Sequence, residues 1–390
     1  MLKKLLSILL ATIFVSNLTA CACSPHQIEK VMSLDEKIGQ KIVLDFRSWN
    51  DGDTQKPVTE INDEIRQIIS KYHIGGVILF AQNFVNKEQA KRLISDLQKA
   101  AIESGNPPLI IAVDQEGGRV ERFSFDRKKL KNNADIKTSE EAFEKGKFIA
   151  NELKTLGINC DFAPVVDVNS NPLNPVINVR SFGNNADIVS EFGQKFLEGL
   201  HSQNIMGVAK HFPGHGDTSV DSHFSLPSVN KTLEELESLE LKPFKALINS
   251  GVDMVMTAHI ELPQVDQNTA ISKKDGTKIC IPATLSKVIL KDILRDKLNF
   301  NGVIISDAMN MKAISENFGE CESAKMAINA GIDILLMPVI LRSKDDIANL
   351  EKLINRIKDS VNNGEISEKN IDLSVERILK LKEKYCKLEA

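Results

Sequence analysis

Eight short apolar runs, separated by amphipathic stretches, constrain the fold of this 390-residue sequence more than any other feature. The runs have the composition of strands that are buried on both faces, and the stretches between them repeat their apolar residues with the period of a helix. Eight such strand–helix units predict an α/β fold, a closed (β/α)₈ barrel of the TIM type. The strands are expected at residues 40–46, 76–80, 109–113, 160–168, 207–211, 254–259, 302–305 and 333–337.

The amphipathic stretches predict helices around this barrel. The alternative architecture is a doubly wound open sheet, which is disfavoured because no Gly-x-Gly-x-x-Gly pattern follows the first strand. No internal repeat, low-complexity tract or interdomain linker interrupts the sequence, and residues 34–390 are therefore predicted to form a single domain. Helices are expected at 86–104, 140–156, 187–203, 233–249, 285–298 and 347–362, with a last one at 367–385 on the outside.

The first twenty residues differ in composition from the rest. Two lysines precede an apolar stretch, 5–15, which has the length of a signal peptide and is short for a membrane span. Small residues then lie directly before Cys21, and this segment resembles the lipobox of bacterial lipoproteins, in which the cysteine is lipidated. We expect a signal peptide at 1–20, a tether at 21–33, and an exported protein that its lipid anchors at the periplasmic face or the cell surface. The alternatives are an ordinary signal peptide cut nearby and an uncleaved anchor.

The charge and the cysteine content narrow the classes of partner. There are 49 Lys and Arg against 53 Asp and Glu, and the net charge of −4 is spread along the sequence. Because no basic run is present, a nucleic-acid partner is not expected. The six cysteines include no Cys-x-x-Cys pair, so neither a disulfide framework nor a zinc cluster is predicted.

Five of the expected strands end in charged or polar residues. In a closed parallel barrel the loops after the strands converge on one mouth, so these residues are expected to share a single site. One such residue could cap a strand or form a salt bridge, but five groups at one edge would be costly to bury without partners or ligands. The segments are 114–122, 167–168, 210–217, 257–259 and 306–309.

The longest of these segments continues to residue 223 and reads Lys-His-Phe-Pro-Gly-His-Gly-Asp-Thr-Ser-Val-Asp-Ser-His. It resembles the signature of glycoside hydrolase family 3 β-N-acetylglucosaminidases. The segments Asp-Gln-Glu-Gly-Gly-Arg-Val at 114–120, Arg-Ser-Phe-Gly at 180–183 and Ser-Asp-Ala-Met at 306–309 match the same family in order and rough spacing. The resemblance covers about residues 34–382. It implies a (β/α)₈ barrel that removes terminal β-linked N-acetylhexosamine, of the compact single-domain branch that acts in peptidoglycan recycling.

The resemblance implies that Asp307 is the nucleophile, that His223 is the acid/base and that Asp221 orients His223. Retaining glycoside hydrolysis needs a carboxylate at the anomeric carbon and a proton donor near the leaving oxygen. Asp307 follows an apolar strand, which would fix its carboxylate at the mouth of the barrel. An imidazole titrates near neutrality and can both donate and accept a proton, and a nearby carboxylate fixes its tautomer. The loop that carries Asp221 and His223 is expected to close over the sugar.

The resemblance also implies a set of charged residues around the terminal sugar. Asp114 and Lys210 are favoured on physical grounds as well, because each ends an apolar strand, where an unpaired charge would be expensive. Two arginines of the set could instead form structural ion pairs. We expect His215 and Asp217 to shape the loop, and Asp167, Met256 and His259 are candidates for the pocket lining. The sugar-binding set is Asp114, Arg122, Arg180, Lys210 and His211.

Two alternatives come from other classes of protein. A metal site could use the histidines of residues 211–223, but Pro213 and Gly214 break any helix, so His211 and His215 cannot share a helix face. A sugar-binding lipoprotein without turnover would explain the anchor and the polar pocket, although such receptors usually have two lobes.

Two further alternatives are enzymes. A β-glucosidase of the same family is disfavoured by the Asp-Ser-His loop, which plain glucosidases of the family lack. A β-N-acetylglucosaminide phosphorylase stays open, because a histidine repels phosphate less than a carboxylate would. We expect no cofactor. The expected partners are a carbohydrate substrate, which would be a muropeptide, a chitooligosaccharide or a glycoconjugate end, and a membrane reached through the lipid. The protein is expected to be a monomer.

Overall fold

The computed structural model describes residues 32–52, 54–219 and 226–386. Eight parallel strands pair in the order in which they follow one another in the chain, and β1 then pairs with β8. A parallel bridge between Ile305 and Ile334 joins the last two strands and closes the barrel. The predicted (β/α)₈ architecture is confirmed. The strands are β1 (Ile42–Asp45), β2 (Gly76–Leu79), β3 (Ile110–Val113), β4 (Cys160–Asp161), β5 (Met206–Phe212), β6 (Met254–Thr257), β7 (Val303–Ile305) and β8 (Leu335–Leu336).

Helices follow each strand and surround the barrel. The helix over Val288–Lys297 has π-type hydrogen bonding. Two antiparallel hairpins, Ser48–Asp51 with Thr54–Pro57 and Thr269–Ile271 with Lys278–Cys280, lie in the loops after β1 and β6. The helices are α1 (Leu34–Gln40), α2 (Asp63–Lys71), α3 (Lys87–Ile102), α4 (Ser139–Leu156), α5 (Ala186–His201), α6 (Leu233–Ser238), α7 (Leu241–Asn249), α8 (Val288–Lys297), α9 (Lys312–Phe318), α10 (Glu320–Ala330), α11 (Ile347–Asn362) and α12 (Glu368–Tyr385).

The apolar runs are continuous because both faces of each strand are buried. Along β1, Ile42 and Leu44 belong to the cluster that packs against the helices, whereas Val43 belongs to a second cluster inside the barrel. Successive side chains of a strand point to opposite faces, so a parallel barrel needs apolar residues at nearly every position. This requirement explains why the strands were recognisable without alternation.

Local hydrogen bonds fix where several helices begin. Ser33 and Glu36 form a capping box at α1, with each side chain bonded to the backbone N–H of the other residue. Asn62 and Thr138 cap α2 and α4 in the same position. Gly157 ends α4 with a φ of 86°, a left-handed conformation that glycine adopts without strain.

The fourth strand is shorter than predicted. Residues 160–168 were expected to be one strand, but regular pairing ends at Asp161. Pro164 has no backbone N–H to contribute to the ladder, and beyond it a single bridge joins Val165 to Lys210. The apolar character of 162–168 reflects burial without a regular strand.

Two helix predictions also differ from the structure. The expected helix at 233–249 is divided into α6 and α7 by Leu239, whose backbone leaves the helical region. The expected helix at 285–298 begins three residues later. None of the helices in the described ranges has the length and apolar character needed to cross a bilayer. The predicted signal peptide at 1–20, Cys21 and nearly all of the tether lie outside the described residues.

Candidate active site

A cavity of about 550 Å³ opens at the carboxyl ends of the barrel strands. Its apolar lining includes Phe162 and Met256, which come from the cluster inside the barrel. The volume is in the range that small-molecule sites occupy. The charged and histidine side chains that line the cavity are Arg47, Asp114, Glu116, Arg122, Arg180, Lys210, His211, His215, Asp307 and Arg342.

Lys210 lies at the centre of a buried ion-pair cluster on one wall. Its Nζ is 2.9 Å from Oδ1 of Asp114 and 2.7 Å from Oε1 of Glu116. Burial alone would lower the pKa of Lys210, but the charges of the two carboxylates outweigh burial and raise it. Lys210 is therefore a fixed cation at the wall of the cavity.

Two arginines complete this cluster. Arg122 Nη2 donates to Oδ2 of Asp114 at 2.8 Å, and Arg180 donates to both oxygens of Glu116, from Nη2 at 2.7 Å and from Nε at 2.8 Å. Burial would raise the pKa of each carboxyl, but the neighbouring cations lower that of Asp114 well below its usual range and that of Glu116 to about 2. The wall thus presents three cations and two carboxylates to the cavity.

Glu116 is the member of this cluster that the sequence prediction did not assign. It lies within the Asp-Gln-Glu-Gly-Gly segment, directly before Gly117 and Gly118, whose φ values are 82° and 65°. A Cβ atom at position 118 would lie 2.3 Å from Oδ1 of Asn132, so this tight turn requires glycine. The sequence did contain a signal for Glu116, because this carboxylate is the third residue of the segment and directly precedes two adjacent glycines.

His211 is oriented from behind by Asp167. Its Nδ1 is 2.8 Å from Oδ2 of Asp167, and its backbone N–H donates to Oδ1 at 3.1 Å. Asp167 is fully buried, and the charge of His211 outweighs burial and lowers the pKa of the Asp167 carboxyl. The ionised Asp167 accepts the Nδ1–H of His211, which fixes the orientation of the ring at the cavity. Asp167 therefore positions a lining residue and does not itself line the cavity.

His215 lines the cavity and is not only a loop-shaping residue. Its backbone N–H donates to Oδ1 of Asp167 at 2.7 Å, and its Nδ1 is 2.8 Å from Oγ1 of Thr218. Burial, aided by the nearby His211, lowers the pKa of His215 to about 4, so the ring is neutral near pH 7. Asp217, by contrast, lies 3.0 Å from Nζ of Lys231 and does not line the cavity.

Asp307 follows β7 and lines the same cavity. Its Oδ1 accepts the backbone N–H of Ala308 at 2.7 Å. The turn is pinned on both sides, because Ser306 N–H donates to Ile334 at 3.0 Å and Met309 N–H donates to Leu336 at 2.9 Å. The carboxylate is therefore held on a rigid strand end. Of the three other candidates for the lining, only Met256 lines the cavity; Asp167 and His259 lie behind it.

A second pair of arginines, which sequence reasoning missed, contributes to the cavity from the ends of β1 and β8. The guanidinium of Arg47 lies 3.7 Å from the centre of the Phe80 ring. Arg342 Nη2 donates to Oδ2 of the buried Asp45 at 2.8 Å. The sequence contained one signal for this pair, since the charged Asp45 ends the apolar strand β1, but Asp45 belongs to no recognised motif.

The structure brings together all five predicted sugar-binding residues and Asp307 at one cavity. Asp221 and His223 lie outside the described residues, so their predicted roles stay predictions. Among the residues that the structure describes, no three His, Cys, Asp or Glu side chains form a group that could hold a metal ion. The closely spaced donors and acceptors of the wall fit a ligand with many hydroxyl groups.

Comparison with known proteins identifies the family. Residues 33–381 match the glycosyl hydrolase family 3 N-terminal domain. Beta-hexosaminidase A of Pseudoalteromonas piscicida is 38% identical over 372 residues, which cover 90% of this chain and 61% of that protein. The beta-hexosaminidase of Tolumonas auensis is 36% identical over 283 residues, covering 71% of this chain and 79% of that protein. The chain belongs to glycosyl hydrolase family 3.

A solved structure agrees with this assignment. The glycoside hydrolase family 3 beta-N-acetylglucosaminidase from Paenibacillus sp. str. FPU-7 superposes with a TM-score of 0.80 at 37% sequence identity. The match covers 90% of this chain and 62% of that one. The chain thus spans less than two thirds of the length of this protein and of the Pseudoalteromonas relative.

Proposed function

We propose that this protein is a β-N-acetylhexosaminidase, a retaining exo-glycosidase that hydrolyses terminal β-linked N-acetylglucosamine. The observation that carries the proposal is the placement of Asp307 at the same cavity as the Asp114–Lys210–Glu116 cluster. A carboxylate fixed on a strand end can serve as a nucleophile, and the cluster offers donors and acceptors to the hydroxyls of a sugar. The names of the relatives support the choice of N-acetylhexosamine over glucose.

The ion-pair cluster retains hydrogen-bonding capacity for a ligand. Among the described residues, no acceptor pairs with the buried Nε of Arg122. A buried donor without an acceptor costs free energy. Asp114 holds Nη2 of the same guanidinium, and Arg122 lines the cavity, so this side chain is positioned to bind a sugar hydroxyl.

The proposed reaction has two steps. In the first, a carboxylate oxygen of Asp307 bonds to the anomeric carbon while the bond from that carbon to the leaving oxygen breaks, and His223 gives its proton to that oxygen. In the second, His223 removes a proton from water, and the water oxygen displaces Asp307 from the anomeric carbon. Two displacements retain the β configuration. Asp221 would keep the His223 tautomer fixed and stabilise the imidazolium.

The test is hydrolysis of 4-nitrophenyl N-acetyl-β-glucosaminide by the wild type and two variants. Asp307→Ala should lose at least about 10³-fold in kcat, because the nucleophile is gone. His223→Ala should lose less, because a good leaving group needs less protonation. Asp187→Ala is the control, since it removes an exposed carboxylate that does not line the cavity, and it should keep wild-type kcat.

The outcomes separate the competing functions. Full activity in both Asp307→Ala and His223→Ala would refute the site assignment. Binding of the glycoside by the wild type without turnover would instead indicate a sugar-binding protein. Formation of a sugar 1-phosphate when phosphate is added would indicate a phosphorylase.

We also propose that Cys21 is lipidated and holds the enzyme at the exported face of a membrane, where peptidoglycan fragments are a candidate substrate. The small residues before Cys21 support this proposal. Expression in a bacterial host with labelled fatty acid should label the wild type and leave Cys21→Ser unlabelled. Label retained in the Cys21→Ser variant would contradict the proposal.

A further inference from the structure

His259 lies behind the cavity wall, two residues after β6, and is fully buried. Its Nε2 is 3.0 Å from the carbonyl oxygen of Ala308, and its Nδ1 is 2.8 Å from Oγ1 of Thr284. His259 does not line the cavity, yet it contacts the residue next to the proposed nucleophile.

The groups around the ring fix its orientation. The carbonyl of Ala308 can only accept, so Nε2 of His259 must carry a proton. Oγ1 of Thr284 lies 2.8 Å from Nδ1 of His259 and 2.8 Å from Oγ1 of Thr257, and it donates to the carbonyl oxygen of Ala258 at 3.0 Å. These contacts keep the threonine, and with it the imidazole ring, in one orientation.

Ala308 connects His259 to the carboxylate of Asp307. Ala308 holds the ring with its carbonyl and holds Oδ1 of Asp307 with its N–H, at 2.7 Å. The N–H and the carbonyl of Ala308 lie in the two peptide groups that flank its Cα, so a displacement of Ala308 would move the carboxylate as well. Small displacements of a reacting group away from its attack geometry reduce the rate steeply, with little effect on binding.

We propose that His259 is a positioning residue, which holds the Asp307–Ala308 turn so that the Asp307 carboxylate stays aimed at the anomeric carbon. The proposal rests on the nucleophilic role given to Asp307 above. It requires no contact between His259 and the sugar. A merely structural His259 would affect stability alone, whereas a positioning residue affects kcat in the folded protein.

The experiment compares His259→Phe and His259→Gln with wild type. Phenylalanine keeps a planar ring of similar size and removes both hydrogen bonds, so kcat should fall about 10- to 100-fold while KM stays within about two-fold. Glutamine retains an N–H donor and should recover part of the loss. Thr284→Val removes the hydroxyl that contacts Nδ1, together with its bonds to Thr257 and to the Ala258 carbonyl, and it should lose about 3- to 10-fold in kcat.

His201→Phe is the matched control at the opposite end of the barrel. His201 Nε2 is 2.7 Å from Oδ2 of Asp253, so this variant also removes an imidazole hydrogen bond. We expect it to lower the melting temperature without changing kcat. Thermal melts of all variants confirm that each assay measures folded protein, and Thr284→Val and His259→Gln decide the matter if His259→Phe does not fold.

Crystal structures of wild type and His259→Phe give a readout that does not depend on activity. The Asp307–Ala308 turn should move in the variant. An unchanged Asp307 carboxylate, or a folded His259→Phe with wild-type kcat, would overturn the proposal. A wild type that does not hydrolyse the glycoside would instead refute the proposed function, and the displacement of the turn would still decide whether His259 positions it.

Discussion

Two buried lysines lie at opposite ends of the barrel, and they are held in opposite ways. Lys210, at the carboxyl end, contacts the carboxylates of Asp114 and Glu116, which raise its pKa. Lys41, at the amino end, donates to the carbonyl oxygens of Ile332 at 3.1 Å and Asp333 at 2.9 Å, and to the Ser374 hydroxyl. Burial lowers the pKa of Lys41 to about 7. The charge of Asp333 would raise this pKa, but burial and two nearby arginines outweigh it.

The carboxylate of Asp333 anchors the network at the amino end. It accepts from Arg295 Nη2 at 2.6 Å, from Ser374 Oγ at 2.8 Å and from the backbone N–H of Ile304 at 2.8 Å. These bonds tie α8 and α12 to the barrel. When Lys41 is protonated, each of its three N–H protons has one acceptor. The network at the carboxyl end keeps a buried Arg122 N–H that no described residue accepts.

The difference shows that burial and ion pairing alone do not identify a functional site. Both networks are buried, and both join distant parts of the chain. What distinguishes the carboxyl end is a cavity that these charged side chains line, where a ligand can contact them. The two ends should therefore respond differently to matched substitutions.

The largest expected contrast is between Lys210→Met and Lys41→Met. The first leaves Asp114 and Glu116 buried close together, so we expect a loss of about 3–5 kcal/mol of stability and a fall of at least about 10³-fold in kcat/KM. The second leaves neutral acceptors, so the stability at pH 7 should change by less than about 2 kcal/mol and the activity by less than about two-fold. Urea unfolding and aryl-glycoside hydrolysis measure both effects. Equal losses of activity in Lys210→Met and Lys41→Met would contradict the expected difference between the two ends of the barrel.

A similar contrast is expected between the carboxylates. Asp333→Asn should lower the free energy of unfolding by about 2–4 kcal/mol, because Arg295 and Arg377 lose their counter-ion. The kcat and KM of the folded enzyme should stay unchanged, since these groups lie at the far end of the barrel. Asp114→Asn should raise KM or lower kcat in protein that remains folded. A change of KM in Asp333→Asn would show that the two ends are coupled.

Much of the fold and site was predictable because the information is local. Continuous apolar runs mark strands buried on both faces, and the carboxyl ends of such strands meet at one mouth. For this reason Asp114, Lys210 and Asp307, which are distant in sequence, were correctly expected at one cavity.

The remaining features depend on contacts between distant segments. The two carbonyl partners of Lys41 follow it by 291 and 292 residues and become neighbours only when β8 closes on β1. Arg342 likewise meets Asp45 across this closure, 297 residues apart. Glu116 lies within a recognised motif, but its role depends on Arg180, which approaches from 64 residues away. Neither the spacing of the apolar residues nor the composition of the sequence predicts these pairings.

Arg180→Lys tests whether geometry or charge matters at the carboxyl end. The guanidinium bonds both oxygens of Glu116 in parallel, which an ammonium group cannot do. We expect KM to rise about 10-fold while the net charge stays the same. Arg377→Lys is the control at the amino end, where Nε lies 3.2 Å from Oδ1 of Asp333, and it should leave KM unchanged. Wild-type KM in Arg180→Lys would indicate that charge alone is sufficient.

The last contrast concerns pH. The pKa of Lys41 is lowered on folding, so between about pH 7 and its ordinary value of 10.5 the unfolded chain binds a proton that the folded protein does not. The free energy of unfolding therefore rises with pH across this range, with a slope of at most about 1.4 kcal/mol per pH unit, and Lys41 destabilises the folded protein most at pH 7 and not at all above pH 10.5. Urea unfolding of wild type and Lys41→Met at pH 7, 8 and 9 measures this slope.

Burial also lowers the pKa of Lys145 and of Lys382 to about 8, but wild type and Lys41→Met share these two lysines. The difference in stability between the two proteins therefore measures the effect of Lys41 alone. The stability of wild type relative to Lys41→Met should rise with pH. Lys210 has a raised pKa, so it contributes no such rise over this window. Parallel curves for wild type and Lys41→Met would mean that Lys41 keeps its charge on folding, and that the lysines at the two ends are held alike.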